Sequence, residues 1–176
     1  MVQLVVNNAN PPLIVLDTSV WINLLATEEM NSIVRAIGHL CLVPDAVKNE
    51  VKRDPITNLV FTEPNHPLRN SRVIRRVELL EDEIDTFLGL VGVGGPRQLG
   101  DGEAAAIAVA VHRAAILAID ERKARRILQC EFTQVRLVRS IDVLRHDRVR
   151  RALGDQRVEE CVAKARQFGR MHEPRD

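Results

Sequence analysis

A chain of 176 residues that is 45% hydrophobic and 28% charged is long enough to bury a core and too apolar to stay disordered. Its formal net charge of +1 removes any argument from global charge for a nucleic-acid or membrane partner, so only local charge can speak. No apolar run reaches the length of a membrane span, and the first residues lack the basic start and apolar core of a signal peptide, so a cytoplasmic location is expected. Cys41, Cys130 and Cys161 are odd in number, far apart and form no CxxC pair, and read as buried thiols.

Residues 1–12 read as a leader or edge strand: a short strand over 2–6, then an Asn- and Pro-rich turn. Leu13-Ile14-Val15-Leu16 is short, apolar and partly β-branched, the pattern of a parallel strand buried on both faces. Asp17 then stands at its C-terminal end, the edge where open α/β sheets bind ligands. Asp17 can equally cap the next helix, a task open to Thr18 and Ser19 as well. Val20, Trp21, Leu24 and Leu25 recur at helical spacing, with Trp21 in the core, and a second helix is expected over 29–40. Residues 41–43 suggest another short strand, and Pro44 suits the first turn of a helix carrying Val47, Glu50 and Val51. Residues 59–62 form an optional short strand.

The periodicity of Val73, Val77, Leu80, Ile84 and Phe87 predicts a long helix over 71–88. Its arginines come first and its acids later, an order that opposes the helix dipole. Residues 90–96 are a glycine-rich connection without the Lys-Ser/Thr or strand–helix context of a phosphate loop. Leu99-Gly100-Asp101-Gly102-Glu103 opens an alanine-rich buried helix, with Asp101 facing solvent. Residues 114–120 then repeat the opening theme of an apolar strand ending in Asp120. A basic helix over 121–129, a strand within 132–138, and helices near 141–153 and 156–168 complete an α/β alternation. The five histidines show no metal-ligand spacing.

Four acids share one kind of context. Asp17 and Asp120 end strands, Glu50 lies on a helix after Pro44, and Glu103 opens the buried helix. Converging like charges need a cation or shifted pKa values, and hard carboxylate oxygens suit Mg2+ or Mn2+. Such a centre matches phosphodiester hydrolysis by activated water, without a covalent nucleophile. Arginines around 69–76, 122–126 and 145–151 are the candidates for holding a nucleic-acid backbone that the acids would repel.

These blocks, in this order, resemble a PIN-domain ribonuclease, particularly VapC-like toxins and related prokaryotic PIN proteins. The matching residues are Leu16-Asp17-Thr18-Ser19 with Asn23, Pro44 with Val47-Lys48-Asn49-Glu50, Leu99-Gly100-Asp101-Gly102-Glu103 with its alanine run, and Leu117-Ala118-Ile119-Asp120-Glu121 with Ala124-Arg125. The resemblance implies a three-layer α/β/α sandwich around a mostly parallel sheet, with a catalytic domain over 13–140 and a helical extension over 141–176 packed on it. It also implies a Mg2+- or Mn2+-dependent endoribonuclease, with Asp17, Glu103 and Asp120 as metal carboxylates and Glu50 as a further ligand or proton-transfer group. Thr18, Ser19, Asn23 and Glu121 would orient these acids, and Arg72, Arg75, Arg76, Arg122, Arg125 and Arg126 would bind RNA. A homodimer and a cognate antitoxin are the implied partners. Ile119 departs from the Thr or Ser that many relatives carry before the late acid. The alternatives are a non-catalytic PIN-like module that binds RNA or protein, and a metal-dependent phosphatase, which Ser19 disfavours by standing where a second Asp is wanted.

Overall fold

The computed structural model describes residues 11–69, 71–92 and 98–171. The strand expected over 2–6 lies outside them, as does most of the glycine-rich connection. Among the described residues the sheet has five parallel strands: β1 (Leu13–Leu16), β2 (Leu40–Pro44), β3 (Ile74–Val77), β4 (Ile116–Ala118) and β5 (Leu137–Val138), in the order β3-β2-β1-β4-β5. The central strand β1 is wholly apolar because helices cover both of its faces.

Alternation along the strands sorts the helices into two layers. Ile14, Leu16, Cys41, Val43, Ile74 and Ala118 pack in one cluster with α1 (Thr18–Ala26), α2 (Met30–Ile37), α7 (Ser140–Leu144), α8 (Asp147–Leu153) and α9 (Asp155–Phe168). Val15, Leu42, Leu117 and Ile119 face the opposite layer of α4 (Glu81–Val91), α5 (Asp101–His112) and α6 (Arg122–Glu131). The protein is thus a three-layer α/β/α sandwich around a parallel sheet. Trp21 is fully enclosed in the first layer. A short helix, α3 (Asp45–Glu50), follows β2 and packs against α5. No described helix is long and apolar enough to cross a membrane.

The long helix over 71–88 does not form. Residues 74–77 are instead the edge strand β3, with Ile74 buried and Arg75 and Arg76 exposed, and the helix begins only at Glu81. The apparent 3.6-residue period ran across a strand-to-helix junction. The charge anomaly disappears with it: Glu81, Asp82 and Glu83 occupy the first turn of α4, where the helix dipole favours acids.

Smaller differences concern where elements begin and end. Pro44 ends β2 in register with Val77 and does not enter the first turn of the following helix. The strand expected within 132–138 forms there as the two residues of β5, and α6 runs two residues past the expected 129 to Glu131. Residues 59–62 contribute a single bridge, Arg53 to Val60. The helix near 141–153 breaks into α7 and α8, ahead of the expected break at Gly154.

Candidate active site

The sheet topology creates the site. From β1 the chain builds outward through β2 and β3, then returns to start β4 on the other side of β1. The crevice at such a switch point lies beyond the C-terminal strand ends. Leu16 pairs with Ala118, and the Asp17 N–H donates to the Ala118 carbonyl at 3.1 Å, so Asp17 and Asp120 emerge side by side. Together with Glu50, Glu103 and Glu121 they line a cleft of about 1140 Å³.

Asp17 is both a helix cap and a cleft residue. Its Oδ1 accepts from the Val20 N–H at 2.8 Å, and the Ser19 hydroxyl donates to the carboxylate, 2.9 and 3.0 Å from its two oxygens. The cap is therefore Asp17 itself, not Thr18 or Ser19. The residue is 1% exposed, and burial, reinforced by the negative charges of Asp120 and Glu103, raises its pKa to about 7 against the lowering effect of those hydrogen bonds.

Asp120 is held from three sides. The Ser140 N–H and hydroxyl donate to it at 2.8 and 2.7 Å, and Asn23 Nδ2 donates at 2.9 Å. Glu50 accepts from the Thr18 hydroxyl and, at 2.9 Å, from the Gly102 N–H. A Cβ on Gly102 would collide with both the Thr18 hydroxyl and the Glu50 carboxylate, so glycine leaves that pairing undisturbed. Glu103 reaches back to the Gly100 N–H at 3.2 Å. Its pKa is raised, chiefly by burial and further by Glu121 and Glu50, although the Gly100 N–H and Lys123 oppose this. Glu121 caps α6 through the Lys123 N–H at 3.2 Å.

The four acids occupy one cleft, yet among the described residues no group of three or more His, Cys, Asp or Glu side chains closes into a metal-binding set. The donor chemistry nevertheless suits a hard divalent cation: all the acids offer oxygen, and the most buried one faces two others. Adding positive charge there would offset the burial cost that chiefly lifts Asp17 and the repulsion from Asp120 and Glu103 that adds to it.

The arginines divide. Arg122 and Arg125 line the cleft, and Arg125 Nη1 is anchored on the Ile119 carbonyl at 3.1 Å. Arg126 is exposed on α6 and does not line it. Arg76 makes a two-pronged pair with Asp45, with Nη2 to Oδ2 at 2.6 Å. Arg72 and Arg75 border a separate groove with Pro11, Leu13 and Leu40, towards the opposite end of the sheet. Farther along, Arg145 pairs with Glu159, Arg150 with Asp155, and Arg148 with the Ile37 carbonyl, so this cluster braces the helices. Asp101 is exposed.

Arg139, Ser140, Arg166 and Arg170 are site residues that the sequence pattern did not single out. Arg139, Arg166 and Arg170 line the cleft, and Ser140 supports Asp120. Two signals were present. Arg139-Ser140 directly follows a predicted strand, the rule that marks Asp17, and Arg166 and Arg170 flank the predicted end of the last helix, Arg166 inside it and Arg170 just beyond.

Among curated proteins none matches the chain. The family model DUF3368, described as a PIN domain, matches residues 13–172 and so takes in the helices after residue 140. With the parallel sheet, the switch-point crevice and the acids gathered in it, that match establishes that the chain belongs to the PIN-domain family.

Proposed function

We propose that this chain is a Mg2+- or Mn2+-dependent endoribonuclease, with Asp17, Glu103 and Asp120 nearest the ion and Glu50 beside them. The observation that carries the proposal is Asp17: an enclosed carboxyl, compensated by one hydroxyl and one backbone N–H, that faces two further acids. When bound, the ion would acidify a water and offset charge on the scissile phosphate. Ser19 and the Val20 N–H fix Asp17, while Ser140 and Asn23 fix Asp120, so the acids stay in place as negative substrate enters. Glu50, steadied by Thr18 and Gly102, takes the proton lost by the attacking water and returns it to the oxygen released as the P–O bond breaks. Arg122 and Arg125 hold substrate phosphates over the acids.

Incubating a mixed RNA pool with purified protein and Mg2+ or Mn2+, beside Asp17→Asn and Glu103→Gln variants, tests this. Cleavage is expected from the parent alone; cleavage persisting unchanged in both variants would sink the assignment. A second reading, a non-catalytic module that binds RNA or protein, is favoured by how fully protein donors already engage Glu50 and Asp120. It predicts tight binding, unaltered by Asp17→Asn, with no cleavage after metal is added.

The proposal includes a homodimer and a toxin role beside a cognate antitoxin. Leu80 at the N-cap of α4 and Ile84 and Leu88 within it stand 62%, 41% and 55% exposed, an apolar strip suited to a second copy. Sedimentation tests the dimer: the parent should run as a dimer, and the double variant Leu80→Ser with Leu88→Ser as a monomer. A parent that sediments as a monomer contradicts it.

A further inference from the structure

We propose that the end of α9 is a clamp for the phosphates of single-stranded RNA, locked onto the acid floor by Asn23. This rests on the ribonuclease reading and adds how the substrate is held. Arg166 and Arg170 line the same cleft as the acids. They arrive from the layer opposite to that of Arg122 and Arg125, because Val158, Cys161, Val162 and Ala165 of α9 pack in one core cluster and Ala124 and Leu128 of α6 in the other. Cations therefore reach the acids from both faces of the sheet edge, as an extended strand crossing that edge requires.

The backbone around Arg170 is pinned in three ways. Met171 is 7% exposed and belongs to the core. The Arg170 N–H donates to Asn23 Oδ1 at 2.6 Å. Gly169 lies so close that a Cβ would strike Asn23 Oδ1 and the Ala165 carbonyl. Asn23 is fully buried, and its Nδ2 donates to Asp120 Oδ2 and Ser140 Oγ, both at 2.9 Å. One amide thus accepts from the clamp and donates to the acid. Aspartate, with the same shape, has no hydrogens for the second task. Asn23 is a positioning residue that couples where the strand is gripped to where Asp120 points.

The test measures binding of a fluorescent single-stranded RNA by anisotropy across salt concentrations, in an Asp17→Asn background that leaves the RNA intact. Replacing both Arg166 and Arg170 by Ala should weaken binding about tenfold and lower the salt slope by about 1.4, that is roughly 0.7 for each phosphate no longer neutralised. Lys52→Ala, an exposed cation that does not line the cleft, is the control and should change neither. Gly169→Ala keeps every charge and should reproduce most of the weakening by shifting the turn off Asn23. In the otherwise unaltered protein, Asn23→Asp should lower kcat, while the two Arg→Ala changes raise KM. Affinity and salt slope equal to those of the Lys52→Ala control, or absence of RNA binding altogether, overturns the clamp. Clamp-dependent binding without cleavage by the parent sinks the nuclease reading and leaves the clamp standing; cleavage unaffected by the Arg→Ala pair does the reverse.

Discussion

Two buried acids in this molecule have opposite electrostatic fates. Glu83, fully buried at the start of α4, receives Arg113 Nε at 2.6 Å and Nη2 at 2.9 Å, with the Leu80 N–H at 2.8 Å. Burial pushes its pKa up, but Arg113 and the backbone N–H outweigh that and hold it below the ordinary value. Asp17, 1% exposed, has a hydroxyl and an N–H in place of a guanidinium, so burial, with the nearby like charges adding to it, lifts it to about 7. Glu83 braces α4 against α5, since Arg113 caps the end of α5 and also donates to the Glu78 carbonyl at 3.0 Å. Asp17 is left in an environment that disfavours its own charge, a trait that perturbed functional carboxylates share.

The largest expected effect comes from neutralising Asp17. A rise from 3.8 to about 7 corresponds to on the order of 4 kcal/mol against the ionised fold. The folded protein binds the proton more tightly than the unfolded chain, so metal-free stability should fall as pH rises from about 4 to about 7 and then level off. Asp17→Asn should abolish that part of the pH dependence and raise the metal-free melting temperature at mildly alkaline pH, while eliminating cleavage. Urea unfolding at several pH values reads the stability change; a destabilised Asp17→Asn protein at alkaline pH would contradict the assignment.

Glu83→Gln should act in the opposite direction, costing about 3 kcal/mol because it strands the Arg113 charge. The contribution of Glu83 is present above the unfolded carboxylate value and lost as pH falls through its depressed folded value, so the variant should lose most near neutrality. Metal supplies the next contrast. Mn2+ at about a hundred times its dissociation constant should stabilise the parent by about 2.7 kcal/mol and Asp17→Asn by much less, measured by thermal melts with and without chelator. The Glu83→Gln protein should retain the full metal response; its loss would show that the two regions are not independent. Smallest is Ser140→Ala, expected to cost about 1 kcal/mol and to weaken metal binding about tenfold by freeing one side of Asp120, as unfolding and metal titration of the variant would read.

Much of the site was legible because strand ends announce themselves. An apolar run that stops at a single carboxylate marks Asp17 and Asp120, and Glu103 stands out at the mouth of a helix too apolar to be anything but buried. Ser140 follows the same logic but was obscured by a strand that is two residues long. The arginines were harder, because charge density along the chain does not say whether a guanidinium has a local acid. Arg76 meets Asp45 and Arg145 meets Glu159 only once their helices and strands are packed. The 71–88 stretch misled for a related reason: β3 is an edge strand, exposed enough to carry arginines, and its apolar positions joined by chance to those of α4.

By itself, the sequence determined the alternation of buried strands and covering helices, and with it the acids that stand at the strand ends. Hydrophobic period and abrupt polarity are properties of neighbouring residues, so local pattern suffices for both. Tertiary structure alone decided that Asp17 emerges beside Asp120, that Asn23 joins Asp120 to a turn 147 residues away, and that the cleft has basic walls from both layers. Those relations depend on strand order and helix packing, where residues distant in the chain share one desolvated space and each sets the other's charge and geometry.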